Sequence, residues 1–260
     1  MRDFTLHSYE QLLLALKEAG YRFMTFEQYC ETKPQADSRV VVLRHDVDLK
    51  PANSVRTAEI EQRLKIAASY FFRIVPASNQ PQAIRAIAAM GHEIGYHYED
   101  LSLAKGDIKQ AYRLFEEHVA YFRQFYPVRT ICMHGVPTSE YDGRDLWKSY
   151  DYRKAGVIGE PYFDVNFDET LYLTDTGRRW DGYKVSVRDK VPQQQQWIEA
   201  GLVFRTTADI CCWLQSLPKK NIMITTHPQR WTNNRAAWLK EWGMQNIKNI
   251  VKRILICLRG

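Results

Sequence analysis

Five β-rich runs of the sequence end in histidine or aspartate, the residue types that bind divalent metals and transfer protons. The residues at these ends are His45, Asp46 and Asp48, then His97, His134, Asp175 and His227. In parallel α/β folds the carboxyl ends of the strands converge on one face, where active sites lie. The placement of these residues therefore predicts that their side chains meet in a single site.

Asp46 and Asp48 are two residues apart at the end of the first of these runs. In an extended segment such residues point to the same face, so both carboxylates can enter one pocket. One carboxylate can then bind a cation while the other takes a proton from water. For this segment alone, the alternative is a polar strand-to-helix turn in which Asp48 caps a helix that begins near Pro51.

Amphipathic stretches alternate with the β-rich runs along most of the chain. The β-rich runs are 40–43, 70–75, 93–96, 130–133, 171–174, 202–204 and 222–226. The predicted helices are 8–19, 52–67, 81–90, 107–125, 207–217 and 231–258. This alternation is typical of βαβ units, and about seven units predict a closed or nearly closed α/β barrel of parallel strands. The less regular regions 143–170 and 184–196 are predicted to be long active-site loops.

The length and composition predict one domain over residues 1–260. The chain has 260 residues, 45% of them hydrophobic, and no internal repeat or linker divides it. The N-terminus lacks the features of a secretory signal, and no run approaches the ~18 apolar residues of a membrane-spanning helix. Five cysteines, an odd number without a CxxC pair, favour a reducing compartment. We therefore expect a cytoplasmic protein.

The net charge of +6 would suit contact with nucleic acid or with an anionic membrane. The positive residues are scattered, however, and no recognisable nucleic-acid motif occurs, so we expect no nucleic-acid partner. They concentrate only near the C-terminus. The sequence leaves the oligomeric state open.

A C-terminal amphipathic helix is predicted within residues 231–260. One of its faces carries Ile247, Ile250, Val251, Ile254, Leu255 and Leu258. Most amphipathic helices turn such a face to a core, so we expect this helix to pack against the barrel. The alternative is peripheral contact with the anionic inner face of the membrane.

Five motifs resemble, in order, those of the polysaccharide deacetylase family, which is carbohydrate esterase family 4 and has the NodB-homology domain. They are RHDVD (44–48), GHEIGYH (91–97), MHGVP (133–137), TDTGRRW (174–180) and ITTHP (224–228). The resemblance runs from about residue 40 to about residue 230, and GHEIGYH is its most specific part. It implies a NodB-like distorted (β/α) barrel, which matches the strand count above. It also implies metal-dependent hydrolysis of acyl groups on sugars, with the metal held by one aspartate and two histidines.

Carried over by position, the resemblance implies roles for four residues. Asp46 corresponds to the general base, Asp48 and His97 to metal ligands, and His227 to the general acid that protonates the leaving amine. A bound cation would lower the pKa of its water toward ~7 and polarise the acyl oxygen. Asp46 would take the proton of the water, and His227 would return one to the departing nitrogen.

The fourth motif supplies the predicted substrate-binding residues, Asp175, Arg178 and Trp180. The ring of Trp180 can stack on the face of a sugar, and Arg178 can bind a carboxylate or phosphate of the substrate. For a single tryptophan, the alternative is packing in the core.

The sequence departs from the family at the second metal histidine, which usually follows the first by four residues. This chain has Leu101 there. Glu99 would share the face of His97 if the strand continued, whereas Asp100 would be closer if the chain turned helical. His134 stands where the family commonly has an arginine that orients the base, and it could instead be a metal ligand. We predict Glu99 as the third ligand and include His134 among the catalytic residues. Zinc is the expected metal, and the harder ligand set would also tolerate Mn²⁺, Mg²⁺ or Co²⁺.

The sequence thus predicts a hydrolase of carbon–nitrogen bonds other than peptide bonds. It would remove an acetyl or other acyl group from an amino sugar of a bacterial surface polysaccharide or its precursor, so a carbohydrate is the expected substrate. The missing histidine leaves open an amide hydrolase that acts on a small substrate without metal. A non-catalytic carbohydrate-binding protein is the third alternative. Retention of Asp46, Asp48 and His227 speaks against it.

Overall fold

The computed structural model describes residues 2–136, 139–182 and 189–259, with side chains as far as Val251. It confirms the predicted α/β fold, because the seven strands in these ranges all pair in parallel. The strands are β1 (Arg22–Met24), β2 (Val40–Val47), β3 (Ser69–Phe72), β4 (Glu93–Tyr98), β5 (Ile131–Met133), β6 (Thr170–Thr174) and β7 (Asn221–Thr226).

Helices connect the strands and cover the sheet. They are α1 (Leu6–Glu18), α2 (Phe26–Thr32), α3 (Pro51–Arg63), α4 (Pro81–Ala89), α5 (Asp100–Leu103), α6 (Ile108–Phe122), α7 (Pro161–Asp164), α8 (Gln194–Glu199), α9 (Thr207–Leu214) and α10 (Arg235–Arg259). Local sequence signals set where they begin. Thr5, Thr25 and Thr206 form capping boxes at α1, α2 and α9. Proline opens α3, α4 and α7, where its missing N–H removes no helical hydrogen bond.

The sheet is curved into an incomplete barrel. The strand order is β5-β4-β3-β2-β7-β6, and β1 pairs with residues 40–42 of β2. In a flat sheet, the ends of β5 and β2 would lie ~14 Å apart, three strand spacings of ~4.8 Å. Instead, His134 after β5 lies 3.3 Å from Asp48 after β2, which requires strong curvature. Within the described ranges β5 and β6 do not pair, so the barrel is open between them.

Alternation along β2 decides which side chains enter the barrel. Val40 and Val42 belong to a small cluster inside it, with Phe71, Tyr172 and Met223. Val41 and Leu43 belong instead to the larger cluster between the sheet and the helices. Because side chains alternate along a strand, Arg44 and Asp46 continue the inward row above Val42. The first half of β2 thus fills the barrel with hydrophobic side chains. The second half, near the carboxyl end of the strand, places polar side chains at the rim.

A buried polar cluster locks the outside of β2 to the helices. Glu61 of α3 lies 2.8 Å from His45 Nε2, accepts hydrogen bonds from Tyr70 (2.8 Å) and Tyr9, and lies 3.4 Å from His92 Nδ1. All five residues are buried. Burial opposes ionisation of Glu61, but the adjacent histidines hold its pKa below the usual value. This carboxylate therefore joins α1 and α3 to three neighbouring strand regions.

The structure differs from the predicted strands and helices in several places. Residues 202–204 form no strand, and Val203 is exposed. The seventh strand is instead β1, which is only three residues long and carries no long apolar run. The helix predicted over 231–258 begins at Arg235, where Asn234 Oδ1 accepts a hydrogen bond from Ala237 N (2.9 Å).

The expected packing of the C-terminal apolar face against the barrel is wrong for its described part. Ile247 is 66% exposed, and Ile250 and Val251 are also exposed. The side chains of Ile254, Leu255 and Leu258, which the sequence assigns to the same face, lie outside the described residues.

We predict that Glu61→Ala lowers the free energy of unfolding by ~3 kcal/mol or more, since it leaves buried histidine and tyrosine groups without their partner. Urea denaturation followed by circular dichroism measures the change. Glu59 lies exposed on the same helix, so Glu59→Ala is the matched control and should change the stability by less than ~0.5 kcal/mol. Equal effects of the two substitutions would contradict a structural role for the cluster.

Candidate metal and catalytic site

The structure brings Asp46, Asp48, His97, His134 and His227 together at the carboxyl rim. Asp46 lies near the end of β2 and His97 near the end of β4, while the other three follow strands directly. Gly95 lies on β4 beneath this group of residues. The ring of Phe71 occupies the space that a Cβ at position 95 would need. A glycine two residues before His97 therefore leaves room on the inner face for the Phe71 ring of β3.

Asp48, His97 and His134 form a ligand triad. One donor atom from each lies within 4.8 Å of the other two. Asp48 Oδ1 lies 3.6 Å from His97 Nε2 and 3.3 Å from His134 Nε2. Neighbouring donors of a tetrahedral zinc site lie ~3.4 Å apart, so this spacing fits a metal. Asp48 Oδ1 is also buried and has no hydrogen-bond partner among the described residues, as expected of an atom aimed at a cation.

The surroundings of Asp48 keep it ionised. Burial opposes the charge, but His134 at 3.3 Å and the nearby imidazoles of His227 and His97 hold the pKa of Asp48 well below its usual range. Its other oxygen, Oδ2, accepts a hydrogen bond from Gln229 Nε2 (3.2 Å). One oxygen is therefore anchored by the protein while the other faces the two histidines.

His97 is prepared as a neutral ligand. Its Nδ1 lies 2.9 Å from the carbonyl oxygen of Cys132, which requires the proton on Nδ1 and leaves the Nε2 lone pair facing the triad. Burial lowers the pKa of His97 to about 4, despite opposing effects of Asp46 and Asp48. A neutral imidazole held by a hydrogen bond at its far nitrogen is the usual form of a metal ligand.

His134 is oriented by a carboxylate in the same way. Its Nδ1 lies 3.2 Å from Glu99 Oε2, and Arg73 binds both oxygens of Glu99 at 2.9 and 2.8 Å. Although burial opposes protonation, contacts with Asp48 and Glu99 raise the pKa of His134 to about 9. Burial likewise opposes ionisation of Glu99, but His134 and Arg73 lower its pKa to about 2. Glu99 thus lies behind His134, outside the ligand triad.

A second set of close donor atoms consists of Asp46, His97 and Cys132. Asp46 is already engaged there, because Arg44 Nε and Nη2 bind its two oxygens at 3.0 and 2.9 Å. Burial also raises the pKa of the Cys132 thiol well above its usual value, which disfavours the thiolate that metals bind. The triad that contains Asp48 is therefore the better metal site.

Asp46 has the position of a general base beside the triad. Its Oδ2 lies 3.8 Å from His97 Nε2. Arg44 holds the carboxylate and is itself 3.7 Å from Asp189, whose pKa is lowered to about 2 by Arg44 against the effect of burial. Thr174 and Thr176 donate hydrogen bonds to Asp189 at 2.5 and 2.6 Å.

His227 lies beside Asp48 and is held by Asp175. Its Nδ1 lies 2.6 Å from Asp175 Oδ1, and its backbone N donates to Asp175 Oδ2 at 2.9 Å. Burial and Arg230 oppose protonation, but Asp175 raises the pKa of His227 above its usual value. The Nε2 atom lies 3.8 Å from Asp48 Oδ2. Contact with Asp175 thus favours the protonated form of the imidazole, which a general acid requires.

The structure corrects the predicted substrate-binding residues. Trp180 is fully buried, packs against Phe4 and Trp231, and offers no face to a sugar. Asp175 is also fully buried and holds His227. The guanidinium of Arg178 stacks over the rings of Phe4 and Trp238, away from the triad.

Sequence reasoning missed the basic residues that hold the site's carboxylates. Arg44 could have been found from the alternation along β2, since it lies two residues before Asp46. Arg73 directly follows β3, although no spacing rule links it to Glu99. Asp189 lies in the region 184–196, of which residues 184–188 are outside the described residues.

No family model matches the chain, and no curated protein matches it. Among solved structures, the chain is similar to PdaA of Bacillus subtilis, a family 4 carbohydrate esterase. The two share 10% sequence identity, with a TM-score of 0.43, over 92% of this chain and 84% of the other. At this identity, function has to be inferred from the residues of the chain itself.

We predict that His134→Ala weakens Zn²⁺ binding more than Glu99→Gln does. Glu99→Gln should cost about tenfold to a hundredfold in affinity, the usual effect of losing a residue that orients a metal ligand. Competitive titration with a chromogenic chelator measures both. His7→Ala, at an exposed position, is the control and should leave the affinity unchanged. A greater loss for Glu99→Gln than for His134→Ala would restore Glu99 as the ligand.

Proposed function

We propose that this protein is a metal-dependent hydrolase that removes an acyl group, such as acetyl, from an amino sugar of a bacterial surface polysaccharide or its precursor. The observation that carries the proposal is the ligand triad, with Asp46 next to His97 and His227 next to Asp48. Three protein ligands of this kind, two imidazoles and a carboxylate, suit a catalytic zinc site with an open position. The resemblance of five ordered motifs to the polysaccharide deacetylase family supports the same chemistry.

Asp48, His97 and His134 would hold the metal, with zinc as the best match to this donor set. When bound, the metal supplies a polarised acyl oxygen and a more acidic water. Asp46, fixed by Arg44, takes the proton from the attacking water. His227, held protonated by Asp175, gives a proton to the departing nitrogen. Asp46 accepts a proton and His227 donates one. Arg44 therefore stabilises the carboxylate of Asp46, and Asp175 stabilises the imidazolium of His227.

Two departures from the family pattern compensate each other in this proposal. Leu101 stands where the second metal histidine is expected, and His134 stands where the base-orienting arginine is expected. Here His134 completes the ligand triad, and Arg44 of β2 binds both oxygens of Asp46. The third metal ligand thus comes from the end of β5, and the arginine that orients the base comes from β2. We therefore propose His134, rather than Glu99, as the third ligand.

A cavity of about 310 Å³ beside the rim is the proposed position of the sugar. Its lining includes Arg144, Trp147, Tyr162 and Phe163. Phe163 is 50% exposed, so its ring can pack on an apolar face of a sugar. Tyr162 links the cavity to the catalytic groups, since the Arg44 guanidinium lies 5.7 Å from its ring centroid. These residues replace Trp180 as the proposed aromatic contacts of the substrate.

The test is acetate release from N-acetylglucosamine oligomers and from a nucleotide-linked N-acetylhexosamine, measured before and after removal of metal with a chelator. We expect release that is lost with the metal and restored by Zn²⁺. Asp46→Asn should lower kcat by about a hundredfold to ten-thousandfold, because it removes the general base, while bound zinc is retained. Asp168→Asn changes an exposed aspartate and is the matched control, with unchanged kcat.

Two other outcomes would overturn the proposal. Acyl release that is independent of metal would favour an amide hydrolase acting without metal. Sugar binding with neither zinc content nor turnover would favour a carbohydrate-binding protein.

A further inference from the structure

The side of α10 that faces the barrel is largely polar. Trp238 Nε1 donates a hydrogen bond to the carbonyl oxygen of Asp3 (2.7 Å), and Asn249 Nδ2 donates one to that of Gly177 (2.9 Å). Gln245, between them, is 3% exposed. These residues follow each other at intervals of seven and four, so they lie on one side of the helix.

Six large apolar residues on the other sides of α10 are exposed, among the residues whose side chains are described. They are Leu239 (58% exposed), Trp242 (49%), Met244 (42%), Ile247 (66%), Ile250 (58%) and Val251 (50%). A helix normally turns such residues to the protein and its polar residues to water, so this orientation is inverted. Exposed large apolar residues concentrated on one helix are typical of a surface that binds a partner or a membrane. We call these six residues the α10 outer face.

Charge indicates what the outer face binds. The helix has one acidic residue, Glu241, against six basic residues, which are Arg235, Lys240, Lys248, Lys252, Arg253 and Arg259. Its net charge is therefore +5, whereas the whole chain carries +6. If two copies of the chain joined through this face, two helices of net charge +5 would lie side by side and would repel each other. An anionic lipid surface instead matches both the charge and the apolar residues.

We propose that α10 binds the surface of an anionic membrane, with its outer face among the acyl chains and its basic residues at the lipid phosphates. Because Asn249 bonds to Gly177, two residues after Asp175, the docked helix would hold the rim of the barrel close to the lipid. None of the helices in the described part of the chain is long and apolar enough to cross a bilayer. This surface role does not depend on the reaction that the protein catalyses.

The experiment is cosedimentation of the full chain with vesicles of equal parts phosphatidylglycerol and phosphatidylcholine, compared with vesicles of phosphatidylcholine alone. We expect binding to the anionic vesicles that falls as the salt concentration rises. The double variant Ile247→Gln, Val251→Gln should bind more than about tenfold more weakly, since two apolar side chains no longer enter the lipid. Lys240→Gln with Lys248→Gln should also lose about tenfold or more.

Leu217→Gln is the matched control, because Leu217 is 51% exposed elsewhere on the chain, and it should bind as the wild type does. Circular dichroism should show that all variants are folded. Equal binding of the wild type to both kinds of vesicle, or no binding to either, would overturn the proposal. So would a dimer in analytical ultracentrifugation that Ile247→Gln, Val251→Gln converts to monomer, since the outer face would then bind a second copy. None of these readouts uses catalytic activity.

Discussion

Burial of a carboxylate at the rim of a barrel costs free energy unless a nearby positive charge compensates it, and this constraint determines how the site is built. Three of the buried acids at the site are each matched by an arginine. Asp46 has Arg44, Glu99 has Arg73, and Asp175 has Arg230 together with His227. Asp48 differs from them. Only imidazoles and an amide surround it, and one of its oxygens lacks a hydrogen-bond partner among the described residues. A bound metal cation would supply what this carboxylate lacks, which is why the proposed site centres on it.

The curvature of the sheet makes this matching possible. Side chains from β2, β4, β5 and β7 meet because the strands wrap around an apolar interior. Alternation then separates two kinds of buried polar group on β2. Asp46 points inward to the candidate site, whereas His45 points outward to Glu61 and fixes the strand against α3. One strand thus carries both the proposed base and a residue that holds the strand in place.

The sequence was sufficient to predict the fold class and the gathering of residues at strand ends, because both depend on periodicity and chain order. The sequence was not sufficient where tertiary contacts determine the position of a side chain. Whether Trp180 is buried depends on Phe4 and Trp231, which are distant in sequence. Glu99 was ambiguous because β4 ends at Tyr98 and the chain then turns, with φ −143° and ψ 23° at Glu99. That geometry is neither a continued strand nor a helix, and it moves the carboxylate behind His134.

The proposed metal is held by two imidazoles and one carboxylate, with His134 as the second imidazole. X-ray absorption at the zinc K-edge of the zinc-loaded protein tests it most directly, because imidazole rings give a distinct outer-shell scattering pattern. The structure predicts two imidazole nitrogens at about 2.0 Å with one or two oxygen donors, and loss of one imidazole in His134→Ala. A wild-type spectrum with a single imidazole among oxygen donors, or a spectrum that His134→Ala leaves unchanged, would contradict the account.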